Sequence, residues 1–238
     1  MNLLPGSHEL LLFSAAVLVL NATPGVDFLL TVSRTVQRGP RAGLAAAVGI
    51  SAGCAVHALA AAFGLAALLA LYPAAFVAIQ WAGAAYLAWL GIGLLRQAWP
   101  GSGAAAAANA NANANANGTA SDSPAPANAG WADFRAGLLT NLLNPKVALF
   151  ILAFVPQWVP AQSPQPTLSF LLLGVWLSAQ GLLFLFALVG IVAFARVAAG
   201  RAGWQTPKAA RRWLSALSGL LFVALALRLL RGVRPAAG

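Results

Sequence analysis

Long uncharged apolar runs recur along the chain, and short polar connections separate them. Apolar runs of at least about 18 residues with few charges are typical of transmembrane helices. The last run is the shortest and carries Arg228 near its end, where a long side chain can reach the headgroup region. The pattern predicts an all-α polytopic membrane protein with six transmembrane helices. The six runs are residues 10–33, 42–71, 76–95, 136–159, 168–195 and 213–230.

Composition agrees with a protein that is surrounded by lipid. Of the 238 residues, 61% are hydrophobic and only 8% are charged, and the mean hydropathy is +0.80. A soluble domain of this length needs a much larger charged surface. The net charge of +10 could indicate a nucleic-acid-binding protein. The position of the bases argues against nucleic acid as a partner, because most of them lie in connections between the apolar runs.

Lysine and arginine are concentrated in alternate connections. Ten bases follow the first, third and fifth runs, whereas the connections after the second and fourth runs have none. This alternation is the positive-inside pattern, which places the basic connections in the cytoplasm and both termini outside it. Arg228, Arg231 and Arg234 oppose this topology but are outnumbered. The ten bases are Arg34, Arg38, Arg41, Arg96, Arg135, Arg196, Arg201, Lys208, Arg211 and Arg212.

A low-complexity segment divides the chain into two halves. Its Ala-Asn alternation, followed by Ser, Pro and Gly, cannot bury enough apolar surface to become ordered. We therefore predict a first three-helix membrane repeat over residues 1–99, a disordered cytoplasmic linker over 100–130 and a second three-helix repeat over 131–238. An odd number of spans per half inverts the second half relative to the first. Two inverted three-helix repeats are typical of many secondary transporters.

Each half opens with an apolar run that a proline interrupts, at Pro24 and at Pro145. A proline within a helix frees the carbonyl four residues earlier, here those of Leu20 and Asn141. Inside a bilayer, protein, water or a ligand must satisfy such a carbonyl. Many proline kinks in membrane helices are purely geometric, so the breaks alone do not identify a site.

Two ionisable residues at membrane depth accompany these breaks. Asp27 is the only acid inside a predicted run, and Lys146 is the only base near the middle of one. A charge at the bilayer centre costs roughly 2.5–3.5 kcal/mol, so it persists where it is paired or where function requires it. One interpretation is a structural ion pair that joins the two halves. The other is a zwitterion site, in which Asp27 receives a substrate ammonium or a coupling proton and Lys146 attracts a carboxylate.

The second run contributes another candidate for proton handling. Gly49, Gly53 and His57 recur at intervals of four and so share one helix face, where glycines favour close helix packing. A histidine in this position is most often a structural hydrogen-bond donor. Imidazole also titrates near neutral pH, so His57 is a candidate proton relay. Other polar groups at this depth, which also need partners, are Asn21, Asn141, Asn144 and Gln180.

The sequence has no motif that indicates a metal, a cofactor or a hydrolytic mechanism. Metal-ligand clusters, hydrolytic triads, Walker loops and Rossmann glycine patterns are all missing from it. We therefore expect no cofactor, no metal and no enzymatic activity. Two other classes stay open as alternatives. They are an intramembrane enzyme and a structural membrane protein in which Asp27 and Lys146 form only a packing ion pair.

Four segments carry motifs that occur together in a known family. Residues 21–30 read Asn-Ala-Thr-Pro-Gly-Val-Asp-Phe-Leu-Leu, and residues 134–146 end in Asn-Leu-Leu-Asn-Pro-Lys; the other two are residues 41–53 and 81–91. In this combination they resemble the lysine-exporter family of amino-acid exporters (LysE/RhtB type), most closely its homoserine/threonine-resistance branch. The resemblance covers nearly everything except the linker and the last run. The sequence departs from the family pattern at Val26, where a second proline is usual.

The resemblance implies export of amino acids or small derivatives across the bacterial inner membrane. We therefore expect a multi-pass secondary transporter that works by proton antiport, with a small zwitterionic amino acid, protons and the lipid bilayer as partners. A homo-oligomer is left open. Asp27 and His57 are the expected proton-relay residues. The expected substrate-binding residues are Pro24, Gly25, Asp27, Asn141, Asn144, Pro145 and Lys146.

Overall fold

The structure is a computed structural model, and throughout the part of the chain that it describes the regular elements are helical. The described residues are 3–71, 75–98, 129–160, 163–198, 216–217, 219–220 and 222–227, so nearly all of the predicted linker and much of the sixth run lie outside them. The helices are α1 (Ser7–Ala22), α2 (Val26–Arg38), α3 (Pro40–Leu71), α4 (Ala75–Ala98), α5 (Ala129–Leu142), α6 (Pro145–Phe154), a 3-10 turn (Val155–Trp158) and α7 (Pro166–Ala198), and residues 222–227 are also helical.

Two helices are each long and apolar enough to cross a membrane, namely α7 and the Pro40–Gly64 part of α3. Two further pairs of consecutive helices, α1 with α2 and α5 with α6, each pass the same test as one bent span. The described residues therefore contain two candidate spans, or up to four if each bent pair counts as one. The all-helical class is confirmed for this part of the chain. The count of six spans and the inverted repeats stay predictions.

The proline breaks are confirmed, and each divides a predicted run into two helices. Helices α1 and α2 meet at 57° across residues 23–25, and α5 and α6 meet at 54° across residues 143–144. At the second break Pro145 is the first residue of α6, where its missing N–H costs no helical hydrogen bond. Asn144 caps α6, because its Oδ1 accepts the backbone N–H of Lys146 at 3.0 Å. Both breaks thus have a local cause in the sequence.

Helix α3 packs against α2, α5 and α7, and close contact with α5 depends on glycine. A Cβ placed at Gly49 would collide with the Phe134 carbonyl oxygen, and one at Gly53 would lie 2.9 Å from the Asn141 Cβ. The absence of side chains here lets the two backbones approach. The predicted packing role of Gly49 and Gly53 is confirmed. The same contact brings His57, one turn further along α3, to the second break.

An aromatic cluster joins the middle of α1 to the end of α6 and to the 3-10 turn that follows it. Phe13 stacks on Phe154 with ring centroids 5.6 Å apart, and Phe150 stacks on Phe154 at 4.5 Å. Trp158 meets the ring of Phe13 edge-on at 5.8 Å. These four rings are buried, so they close this end of the helix assembly with apolar packing.

An ionic cluster joins the opposite ends of the same two bent pairs. Asp133 of α5 is 1% exposed, accepts a hydrogen bond from Arg38 Nη1 at 2.6 Å and lies 3.5 Å from Arg34 Nη1. Arg196 of α7 donates from Nη1 to the Thr35 carbonyl oxygen at 3.0 Å. Helices α2, α5 and α7 are therefore tied together at the end that carries the basic connections.

This cluster corrects two expectations from the sequence. The fourth run was expected to begin at residue 136, but α5 begins at Ala129, within the segment assigned to the linker. Asp27 was expected to be the only acid inside a span. Asp133 lies in α5, which forms one candidate bent span with α6, and it is buried. A run chosen by hydrophobicity leaves Asp133 out because it is charged. The sequence does not reveal that Arg34 and Arg38 pair with it, because they are distant along the chain.

Candidate functional site

The two helix breaks face each other across a cavity of about 50 Å³. Five of the predicted substrate-site residues line it. Pro24, Pro145 and His57 do not; the prolines shape the breaks, and His57 lies behind the second one. The five lining residues are Gly25, Asp27, Asn141, Asn144 and Lys146.

Two amides from the second half of the chain hold Asp27, which lies in the first turn of α2. Asn141 Nδ2 donates to Asp27 Oδ2 at 2.9 Å, and Asn144 Nδ2 donates to the same oxygen at 3.1 Å. Asp27 Oδ1 and Asn141 Oδ1 are buried, and neither has a hydrogen-bond partner among the described residues. Buried polar atoms in native structures are nearly always paired, so two unpaired acceptors in one cavity indicate a place for a donor.

Lys146 binds the end of α1. Its Nζ donates to the Leu20 carbonyl oxygen at 3.1 Å and to the Thr23 carbonyl oxygen at 3.3 Å. The Leu20 carbonyl is the one that Pro24 frees, so a side chain from the second half satisfies the break in the first half. The Tyr86 hydroxyl donates to the Lys146 carbonyl oxygen at 3.2 Å and holds this residue from α4.

Asp27 and Lys146 line the same cavity but do not form a direct ion pair. The ion pairs within 4.0 Å that the described residues form are both made by Asp133. Asp27 Oδ2 accepts hydrogen bonds from two side-chain amides, and Lys146 Nζ donates to two backbone carbonyls. The direct packing ion pair of the structural interpretation is therefore not found, although both charges do bridge the two halves.

His57 satisfies the carbonyl that the second proline frees. Its Nε2 lies 3.2 Å from the Asn141 carbonyl oxygen, and because a carbonyl can only accept, the ring nitrogen donates. The Asn144 backbone N–H donates to the same oxygen at 2.9 Å. This arrangement is the structural role that the sequence offered as one alternative. The proton-relay role of His57 stays a prediction.

Residues from α3 and α7 complete the cavity, and the sequence reasoning missed them. On α3 they are Ser51 and Cys54; on α7, Ser178 and Gly181 are the small or polar contributors. A Cβ placed at Gly181 would lie 3.5 Å from Asn21 Oδ1. Each pair is spaced three residues apart, so both its members lie on one helix face. Small residues at that spacing inside apolar runs are the signal that could have identified them.

Groups of opposite polarity line the cavity. Asp27 and Asn141 each contribute an oxygen without a partner, and Lys146 contributes an ammonium group that donates. A Cβ placed at Gly25 would lie 3.6 Å from Lys146 Nζ, so this cation sits beside the N-terminus of α2. No side chain caps that helix, and its first N–H groups carry the positive end of the helix dipole. An ammonium fits the two unpaired oxygens, and an anion fits the lysine and the helix N-terminus.

Comparison with known proteins gives a consistent family. Residues 18–232 match the sequence profile of the LysE type translocator family. An uncharacterized membrane protein of Pseudomonas aeruginosa is 35% identical over 170 residues, which are 70% of this chain and 71% of the relative. The homoserine/homoserine lactone efflux protein of Salmonella typhimurium is 30% identical over 157 residues, which are 66% of this chain and 67% of the relative.

A further relative covers more of the chain. The leucine efflux protein of Salmonella typhimurium is 30% identical over 206 residues, which are 87% of both chains. No solved structure gives a significant match. The matched residues include both helix breaks and every residue that lines the polar cavity. The chain therefore belongs to the LysE type translocator family: it is a multi-pass membrane transporter and not an enzyme.

Proposed function

We propose that the protein is a secondary transporter that exports amino acids or small derivatives across the bacterial inner membrane in exchange for protons. The observation that carries this proposal is the cavity between the two breaks, which is lined both by unpaired acceptors and by a lysine beside a helix N-terminus. Relatives are named for the efflux of homoserine and homoserine lactone and of leucine. All three molecules have an α-ammonium, which suits the unpaired oxygens, and homoserine and leucine also have an α-carboxylate, which suits Lys146.

The substrate ammonium binds on the Asp27 side. An ammonium group has three donors and no acceptor, and Asp27 Oδ1 and Asn141 Oδ1 are two acceptors without a partner. Because a buried carboxylate that lacks a full set of hydrogen bonds is costly, a bound cation relieves part of that cost. Asn144 keeps the carboxylate oriented by holding its other oxygen.

The substrate carboxylate binds on the Lys146 side. Two of the three Nζ donors of Lys146 contact the Leu20 and Thr23 carbonyls, which leaves one donor for a ligand. The uncapped N-terminus of α2 adds backbone N–H groups that favour an anion. The N-terminus of α2 and the Lys146 ammonium group thus bind the substrate carboxylate together.

Competition between a proton and the substrate ammonium for Asp27 couples export to proton entry. The carboxylate binds either a proton or the substrate ammonium, so protonation from the outer side releases the substrate and substrate from the cytoplasm displaces the proton. Such mutually exclusive occupancy of one acid gives antiport when the site is exposed alternately to the two sides of the membrane. His57, which donates to the Asn141 carbonyl beside this acid, is the candidate relay.

Transport in inside-out membrane vesicles tests this function. Labelled amino acids are supplied outside the vesicles with the interior acidified or at equal pH, and uptake and proton release are measured together. We expect uptake of amino acids only with the acid interior, accompanied by alkalinisation of the lumen. Uptake that is equal with and without the proton gradient would contradict antiport, and no uptake of any amino acid would contradict amino-acid export.

Orientation belongs to the same proposal. With residues 100–130 in the cytoplasm, both termini lie outside, and the end that carries Asp133 faces the cytoplasm. A Ser121→Cys substitution in a Cys54→Ala background should resist a membrane-impermeant thiol reagent in intact cells and react after lysis. Rapid labelling in intact cells would reverse the orientation.

A further inference from the structure

A second and larger cavity lies between α3 and α7, beside the polar cavity. It measures about 320 Å³ and is a groove lined almost entirely by apolar side chains. It owes its shape to small residues. A Cβ placed at Gly174 would lie 2.6 Å from the Ala58 Cβ, so the two helices touch there. Ala55 and Ala179, which also line the groove, are too short to fill the space beside that contact.

Two serines separate the groove from the polar cavity, since Ser51 and Ser178 line both of them. The Ser51 hydroxyl donates to the Ser178 carbonyl oxygen at 3.4 Å, which is near the upper limit for a hydrogen bond. The boundary between the two cavities is therefore thin, and a weak contact holds it. A molecule with one charged end and one apolar end could occupy both cavities at once.

The polar cavity supplies groups for the ammonium and the carboxylate, whereas the larger and almost wholly apolar space beside it is the groove, at about 320 Å³ against about 50 Å³. We propose that the groove binds the aliphatic side chain of the exported amino acid, so that the preferred substrates are amino acids with branched or extended apolar side chains. This inference rests on the proposed function, because it assumes that the polar cavity binds the ammonium and the carboxylate.

The outer side of the groove is open at the surface of α3 and α7, which would face lipid if these two helices span the membrane. Leu59 and Val175 form its rim and are 48% and 65% exposed. Lipid chains would cover a bound side chain there, which keeps it in apolar surroundings without a protein wall. A lipid chain as the groove's only occupant is the competing outcome, and it predicts no dependence of transport on the size of the substrate side chain.

Filling the groove should act on large substrates selectively. We expect Ala55→Phe and Ala179→Phe to reduce leucine export at least about 10-fold relative to alanine export, since one methylene in an apolar pocket already alters specificity by about 10- to 200-fold. Val56→Phe and Leu183→Phe are the matched controls. Both positions are exposed and neither lines the groove, so leucine and alanine export should stay within about twofold of wild type.

Enlarging the groove should increase export of a larger substrate, a result that general damage to the protein would not produce. Leu182 lines the groove, and Leu182→Ala should raise the ratio of phenylalanine to leucine export by about 10-fold. All rates are measured in inside-out vesicles and normalised to the amount of transporter in the membrane.

The outcomes separate this inference from the function on which it rests. A selective loss of leucine export with Ala55→Phe and a shift to phenylalanine with Leu182→Ala would support the groove as the side-chain site. Equal losses of leucine and alanine export, unchanged ratios, or a wild type that exports alanine but not leucine would overturn the inference and leave amino-acid export standing. A wild type that exports no amino acid would overturn both.

Discussion

Asp27 and Asp133 are both in contact with the opposite half of the chain, but their partners differ in charge. Two arginines of α2 surround Asp133 of α5, with N–O distances of 2.6 and 3.5 Å. Only neutral amides of the second half contact Asp27 of α2, and its Oδ1 has no partner among the described residues. Removal of one partner from a buried ion pair destabilises a fold, because the other charge is left uncompensated. A carboxylate whose charge is not compensated is available to a proton or a cationic ligand.

Depth in the helix assembly explains the difference. Asp133 lies where α2 ends and α5 begins, beside the basic connections, so arginines are within reach. Asp27 lies at the helix break, where the nearest cation, Lys146, already contacts the Leu20 and Thr23 carbonyls. The same two helices are therefore tied by an ionic contact at one end and by a polar contact with unused acceptors at the break. We expect mutations at the two acids to separate export from stability.

The largest effect is expected at Asp27. Asp27→Asn keeps the shape of the side chain and removes the group that binds the proton or the ammonium, so gradient-driven export should fall to background. The amount of protein in the membrane should stay normal, because Asn141 and Asn144 can still donate to the new amide oxygen. Glu9→Gln, at an exposed acid, is the control and should export like wild type. Undiminished export by Asp27→Asn would remove this residue from the mechanism.

The second-largest effect is expected at Lys146. Lys146→Met should lower the affinity for amino acids by about 10- to 100-fold, since a hydrogen bond to a charged group contributes about 1.5–3 kcal/mol. Affinity for carboxylate-blocked analogues should fall much less, and binding to purified protein measures both.

The double variant Asp27→Asn/Lys146→Gln distinguishes a substrate site from a structural charge pair. Removing both charges together relieves any folding cost of leaving one of them alone. We expect a well-folded but inactive transporter. Transport that returns in the double variant would reduce the two residues to a structural role.

At Asp133 we expect the reverse, namely a loss of stability with export retained. Asp133→Asn leaves Arg34 and Arg38 without their anion, so the free energy of unfolding should fall by about 1.5–3 kcal/mol. Thermal unfolding in detergent and the amount of protein in the membrane measure this loss. Export per molecule should stay within about threefold of wild type, because the cavity does not include Asp133. Abolished export by a normally stable Asp133→Asn variant would show that this acid is also part of the transport mechanism.

The smallest effect is expected at His57 and decides between its two roles. His57→Gln retains a donor for the Asn141 carbonyl, so a structural role predicts export within about threefold of wild type. His57→Leu leaves that carbonyl with one donor fewer and should be the weaker exporter, because an unmade buried hydrogen bond costs about 1–3 kcal/mol. Vesicle transport across a range of pH measures both variants. Equal and complete loss in both variants would favour the proton relay.

Local chemistry explains what could be predicted. Apolar runs indicated the helices, and the rules for proline located both breaks within a residue or two. The cost of a buried charge singled out Asp27 and Lys146, and the motif resemblance pointed to the translocator family. Gly49 and Gly53 were assigned to packing from their spacing alone. Each of these inferences depends on neighbours in sequence or on the burial of a single side chain, which the amino-acid order contains directly.

The sequence by itself thus determined the membrane character, the broken helices and the residue types of the polar cavity. Only the tertiary structure decided the pairing: Lys146 binds the Leu20 and Thr23 carbonyls, His57 binds the Asn141 carbonyl, and Arg34 and Arg38 bind Asp133. It also decided that Ser51 and Ser178 stand between a polar cavity and an apolar groove. These contacts depend on where helices cross, and crossings are set by the combined packing of residues that are between 84 and 127 positions apart, which no local pattern encodes.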